Sequence, residues 1–188
     1  MIVVFGEKRH GKNEVAAAIA EKLGGKVVSF ALALKLGAEA LIGVPHDLPD
    51  SEKETKLFYG KTARHWWQWF GTAVGRDGVH KNVWIDRTVD YVRSSKSPDV
   101  VVVSDGRFYN ERTNPAEQLE GYAKVMNVLV YRPGLPESDL HPSETEVRDM
   151  RKRALEGEAL FDEIILNDGT LEQLREKVAH TTIMQIAT

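Results

Sequence analysis

Residues 1–23 read MIVVFGEKRHGKNEVAAAIAEKL, and this stretch decides the fold. Residues 1–5 are a short apolar run of strand type. Residues 13–23 are rich in Ala, Glu and Lys, with Val15, Ala16, Ile19, Ala20 and Leu23 on one helical face. Between them, Gly6 and Gly11-Lys12 fit G-x-x-x-x-G-K, a phosphate-binding loop. The pattern needs a buried strand before it and a helix after it, and both are present. Glycines let the backbone curl so that successive N–H groups face an anion. The helix start adds partial positive charge. Lys12, read as a mobile charge on a solvent-facing loop, reaches the β- and γ-phosphates of a nucleotide. Lys8, Arg9, His10 and Glu14 share the cradle. Asn13 stands where Ser or Thr normally offers a hydroxyl to Mg²⁺. Its amide oxygen can ligate the ion, or bond second-shell water or the backbone.

Composition narrows the partners. A chain of 188 residues with 42% hydrophobic side chains suits one domain, 1–188, with a real core. The net charge of −3 argues against duplex DNA or an anionic membrane as a bulk electrostatic partner. With no cysteine, disulfides and thiolate metal sites are excluded. His10, His46, His65, His80, His141 and His180 show no metal-ligand spacing. No apolar run has the length of a membrane span. Glu7, Lys8 and Arg9 break the first apolar run too early for a signal peptide. The expected location is therefore cytoplasmic, or host-cytoplasmic if the source is viral.

The rest of the chain alternates strands with helices. Strands are expected at 26–31, 98–104, 125–131 and 161–166. Helices are expected at 32–42, from N-cap Thr62 through Phe70, at 83–94, weakly at 111–121, and at 170–179. Residues 43–61 read as an exposed, mobile insertion with a charged run from Asp50 to Glu54. The continuous Val run at 100–103 marks a strand buried on both faces. The class is α/β, a mostly parallel sheet flanked by helices in three layers. In such sheets ligands bind beyond the strand C-termini, and polar residues sit there: Gly6 to Asn13, the stretch to Lys35, Asp105 and Arg107, Arg132, Asn167 and Asp168.

Asp105 ends an apolar strand, where an enzyme with such a loop holds Mg²⁺ directly or through water; the alternative is a turn-forming Asp-Gly pair. Arg107 either pairs with that carboxylate or grips an acceptor phosphate bidentately. Arg64 and Gln68 share a helix face by their i, i+4 spacing and suit a phosphate and a base edge. Trp66, Trp69 and Phe70 read as a core stripe. Gly71, Gly75 and Arg76 extend that region with room for close approach. Arg148 to Arg153 read about equally well as a solvated charged helix, balanced by Glu144, Glu146, Asp149, Glu156 and Glu158. Arg132, at a strand end, is the better candidate for a closing flap.

The order of GxxxxGK, SFALALK, R-x-x-x-Q-x-x-GT-x-x-GR, SDGRFYNE, YRPG with H-x-x-E, and NDGTLEQL resembles the bacteriophage deoxynucleoside monophosphate kinases, from Ile2 to about Val178. The resemblance implies transfer of the γ-phosphoryl of ATP to a deoxynucleoside monophosphate (dNMP), with Mg²⁺. It implies catalytic roles for Lys12, Asp105, Arg107 and Arg132. ATP would be held by Gly6, Lys8, Arg9, His10, Gly11, Lys12, Asn13 and Glu14, and near its adenine by Asn167, Asp168 and Gly169. The acceptor would be lined by Lys35, Arg64, Gln68, Trp69, Arg76, Asp105 and Arg107, and Mg²⁺ would be met by Asn13 and Asp105. It places an acceptor-binding region at about 32–95 and a lid at about 132–155. Asn13 departs from the family, which often carries Asp there. The short insertion before Arg64 leaves base choice open. So does the sequence leave the oligomeric state, a homodimer included. Two other readings share the loop: a kinase acting on a modified base in DNA, and a non-catalytic nucleotide-binding subunit. No nucleic-acid or membrane partner is expected.

Overall fold

The computed structural model describes residues 1–49, 51–94, 98–137 and 141–186. The chain divides into two compact units, Met1–Ser29 with Tyr91–Thr188, and Phe30–Asp90.

In the first unit, five strands form one parallel sheet: β1 (Ile2–Phe5), β2 (Lys26–Val28), β5 (Val101–Gly106), β6 (Met126–Tyr131) and β7 (Glu163–Leu166). Their order is β2-β5-β1-β6-β7, so β1 is central, between β5 and β6. Val3, Val4 and Phe5 are fully buried, as a central strand covered on both faces requires. Helix α1 (Lys12–Leu23) lays Val15, Ala16 and Ile19 against Val4, Val102 and Val128. Fully burying a side chain such as Ile19 contributes about 1.5–3 kcal/mol, and Ile19→Ala would cost more because of the cavity it leaves. Leu174 and Val178 of α7 (Leu171–Ala179) join the same cluster. Thr170 caps that helix by accepting from the Gln173 N–H at 3.3 Å. Strand β2 is shorter than expected, because Ser29 turns aside to donate its hydroxyl to Asp105.

The second unit contains α2 (Ala31–Ile42), a hairpin of β3 (Leu57–Phe58) and β4 (Lys61–Thr62), and α3 (Ala63–Trp69). A π-helical stretch, Phe70–Asp77, continues α3, and α4 (Val83–Arg93) leads the chain back to the first unit. Residues 43–61 are not the plain exposed insertion expected. Val44 and Leu48 are buried in a cluster with Ala63, and the hairpin closes on α3 through the Trp66 indole, which donates to the Phe58 carbonyl at 2.7 Å. Its apolar residues are too sparse to show a period, so only tertiary packing reveals them. Asp50, the start of the charged run, lies outside the described residues. Trp66 packs on this cluster as expected, whereas Trp69 is 42% exposed and leaves the core stripe.

Candidate active site

Three backbone conformations shape the loop after β1: Gly6 has φ 152°, Arg9 69° and Gly11 99°. Two are glycine for reasons of space as well as of φ. A Cβ on Gly6 would lie 2.6 Å from the Val130 carbonyl oxygen, and one on Gly11 would lie 2.6 Å from the Asn167 amide nitrogen. Lys12 opens α1 and is buried, not solvent-facing. Its ammonium curls back over the loop and donates to the Glu7 carbonyl at 2.8 Å. Asn13 and Glu14, in the first helical turn, are exposed. His10 is buried beneath the loop, with Nδ1 3.3 Å from the Val130 carbonyl oxygen. Burial lowers its pKa, only partly offset by the nearby Glu7 charge.

Asn167, expected near the adenine, lies directly behind the phosphate loop. Its buried side-chain amide donates to the His10 carbonyl at 2.9 Å and so braces the phosphate loop. Asp168 and Gly169 follow in an exposed turn, and Lys177 donates to the Asp168 carboxylate, holding its pKa below the usual range.

On the other side of β1, Asp105 accepts from the Ser29 hydroxyl at 2.7 Å. The Arg107 guanidinium pairs with Glu144, and its backbone N–H donates to the buried Glu111 carboxylate at 2.7 Å. Arg132 is exposed just past β6.

Glu144 belongs to helix α6 (Pro142–Leu155), which lies within the stretch expected as a lid, and its contacts with the loop could not be read from the sequence. Glu7, inside the loop, is 6% exposed. Its two carboxylate oxygens accept from Nε of Arg148 and Nε of Arg151, each at 2.8 Å. Arg151 also donates to Glu137 at 2.6 Å. Burial works against the Arg151 charge, yet the hydrogen bonds to Glu7 and Glu137 hold its pKa above the ordinary value. Glu144 reaches the loop too, accepting from the Lys8 backbone N–H at 2.8 Å. A cavity of about 450 Å³ lies over the loop here, walled by Glu7, His10, Tyr131, Glu144, Arg148 and Arg151. The reading of 148–153 as a solvated charged helix is thus corrected in part. Arg148 and Arg151 face inward to Glu7, because Val147, Met150 and Ala154 turn that side of the helix to the core. Arg153 remains on the outer face with Glu158 and Asp149. One sequence signal was available: an acid at Glu7, within a loop built to hold anions, demands cations nearby. Of the lid expected at 132–155, residues 138–140 lie outside the described residues.

In the second unit, Arg64 and Gln68 both lie on α3, and the Arg64 guanidinium is taken by Glu54. The Lys35 ammonium sits 4.4 Å from the centre of the Trp67 ring. The room expected at Gly71 and Gly75 is filled. Leu34 lies 3.3 Å from where a Gly71 Cβ would stand, and the Trp84 ring covers Gly75 while its indole donates to the Gly71 carbonyl at 2.9 Å. Arg76 is only half-buried and reaches toward the Lys81 carbonyl at 3.4 Å.

A parallel sheet carrying the phosphate loop on its central strand, flanked by helices, defines the P-loop kinase fold. The chain is 30% identical over 193 aligned residues to a protein of Acanthamoeba polyphaga mimivirus named "Putative deoxynucleotide monophosphate kinase"; the match covers 95% of this chain and 93% of that protein. The chain belongs to the deoxynucleotide monophosphate kinase family. No protein-family profile matches it. Among the described residues, no helix is long and apolar enough to cross a membrane.

Proposed function

We propose that the protein transfers the γ-phosphoryl group of ATP to the 5′-phosphate of a deoxynucleoside monophosphate, giving a deoxynucleoside diphosphate and ADP, as the bacteriophage enzymes it resembles do. The observation that carries this reading is the strained loop with the buried Lys12 folded across it. A lysine held that way is pre-positioned for an anion and can exchange a carbonyl partner for a phosphate oxygen.

In this reading the loop residues Gly6 to Glu14 bind the ATP phosphates. Lys12 and Arg132 neutralise charge on the transferring group, and Arg107 holds the acceptor phosphate. Arg148 and Arg151, already fixed by Glu7, add positive potential over the loop. Asn167 supports donor binding through the loop, and Asp168 and Gly169 border the nucleoside side. For the second unit the reading assigns acceptor recognition to Lys35, Arg64, Gln68, Trp69 and Arg76. The acceptor is already an anionic oxygen nucleophile, so no strong general base is needed, and alignment and charge neutralisation carry the rate.

Asp105 and Asn13 offer oxygen donors of the kind that suits Mg²⁺. Among the described residues no group of three or more His, Asp or Glu could hold a metal, so phosphate oxygens and water would complete its coordination. When bound, the ion would neutralise the β- and γ-phosphate oxygens.

The test is ADP release from ATP with each of dAMP, dCMP, dGMP and dTMP in turn, and with duplex DNA. Release that depends on a monophosphate supports the reading. Release that needs DNA moves the acceptor to the polymer. Nucleotide binding without any release leaves a binding subunit.

A further inference from the structure

Glu144 is 3% exposed, and a buried carboxylate is costly unless its oxygens are satisfied. Each oxygen has its own partner. Oε2 accepts from the backbone N–H of Lys8, a phosphate-loop amide, at 2.8 Å, and Oε1 pairs with the Arg107 guanidinium. One carboxylate therefore spans two donors of different origin, one from the loop after β1 and one from the residue after β5. A tetrahedral phosphoryl group presents its oxygens at much the same separation and seeks the same donors. If it lay on the loop against Arg107, it would meet the Glu144 charge at contact distance, and two anions cannot share those donors.

The two acids over the loop are not alike. Glu7 pairs with Arg148 and Arg151, side chains of α6, and leaves the loop amides alone. Glu144 occupies a loop amide itself. Holding α6 against the loop does not require a charge at that point, since Val147, Met150 and Ala154 already bury the helix. An acid there does something a neutral residue would not: it fills an anion site with a weaker anion.

We propose that Glu144 is a resident stand-in for a phosphoryl group, an autoinhibitory contact that an incoming phosphate must displace. The inference rests on the kinase reading for the identity of that phosphate, though not for the existence of the anion site. A doubly charged phosphate outcompetes a single carboxylate for an N–H and a guanidinium. Its arrival frees the first turn of α6 from the loop while Glu7 keeps Arg148 and Arg151 in place. The contact keeps the loop and Arg107 ordered before substrate arrives, and it excludes weak anions.

The test titrates inorganic pyrophosphate into the full-length wild type, Glu144→Gln and Glu144→Ala by calorimetry. Loss of the competing charge should tighten pyrophosphate binding about tenfold, the lower range for a charge-assisted hydrogen bond no longer opposed. A dNMP should tighten in the same direction. Unchanged or weaker affinity in both variants overturns the proposal, because a residue that merely orients Arg107 would weaken anion binding when lost. Absence of pyrophosphate binding in all three proteins overturns it too. If neither variant folds, Glu144→Asp, too short to span both donors, is judged by the same criterion. The titration needs no turnover. Tightening in a protein without kinase activity would keep the stand-in and remove the kinase reading, while unchanged affinity in an active kinase would remove the stand-in alone.

Discussion

Replacing Glu7 with Gln should destabilise the protein far more than neutralising Glu137, the other acid that holds the same arginines. Glu7 is buried, and each of its oxygens accepts from one arginine Nε at 2.8 Å. The Arg148 and Arg151 side chains are themselves 12% and 9% exposed. An amide keeps the shape but has one accepting oxygen, and its NH₂ would face a guanidinium, donor to donor. Breaking a buried ion pair by removing one partner costs about 3–5 kcal/mol. Glu137 still accepts from Arg151 at 2.6 Å and lies 3.7 Å from Arg148, so the lower end applies, about 3 kcal/mol. For a chain of this size that is a fall in melting temperature of about 6–12 °C. Glu137→Gln is the control. Its carboxylate is 43% exposed and screened by solvent, so its loss should perturb stability far less than the loss of Glu7. Thermal and urea denaturation at low and high salt measure both. The Glu7 effect should persist in salt, because buried pairs are screened little. A Glu7→Gln protein within about 1 kcal/mol of wild type, or less perturbed than Glu137→Gln, would refute the view that Glu7 anchors α6 over the loop.

Lys12→Ala should lower turnover by about 10²-fold or more, the scale of removing one positioned charge, and also lower the melting point measurably, since Lys12 is buried on a loop carbonyl. Turnover like that of the wild type would take the loop out of the mechanism. Arg107→Ala should weaken a dNMP about 10- to 150-fold while leaving an ATP analogue nearly unchanged, and Gln68→Ala should reorder preference among bases; separate titrations of the two ligands decide, and equal loss of both would mean the acceptor assignment is misplaced. Stability should depend on pH through His10. Its folded pKa lies below its unfolded value, so the unfolded state binds more protons between the two. Stability is therefore full above about pH 6.5, falls as the pH drops toward the folded pKa, and levels off below it. Comparing denaturation of wild type and His10→Gln across pH 5 to 8 checks this, and parallel curves would show that His10 carries none of it.

Much of the fold was legible because its signals are local. The Val run of β5 and the strand–loop–helix at residues 1–23 follow from burial on both faces and from the constraints of a phosphate loop, and no distant partner is needed to see them. Residues 43–61 were misread because Val44 and Leu48 are apolar but aperiodic, and only Ala63 and Trp66 give them a place. At the site, the strand-end residues could be found but not their distant partners: Arg107 pairs with Glu144, and Asn167 braces the His10 carbonyl, contacts no local spacing encodes. The link between Glu7 and Arg151 spans 144 residues, and no sequence spacing encodes such a contact. Charge balance along 144–158 suggested a solvated face, which holds for Arg153 and fails for the two arginines turned inward.

The central claim is that a free dNMP takes the γ-phosphoryl group. The most direct measurement follows γ-labelled ATP in the presence of Mg²⁺, the four dNMPs and duplex DNA together, and separates the products. Label is expected in the β-phosphate of at least one deoxynucleoside diphosphate, and is lost in Lys12→Ala. Label in the polymer, or only in inorganic phosphate, would contradict it.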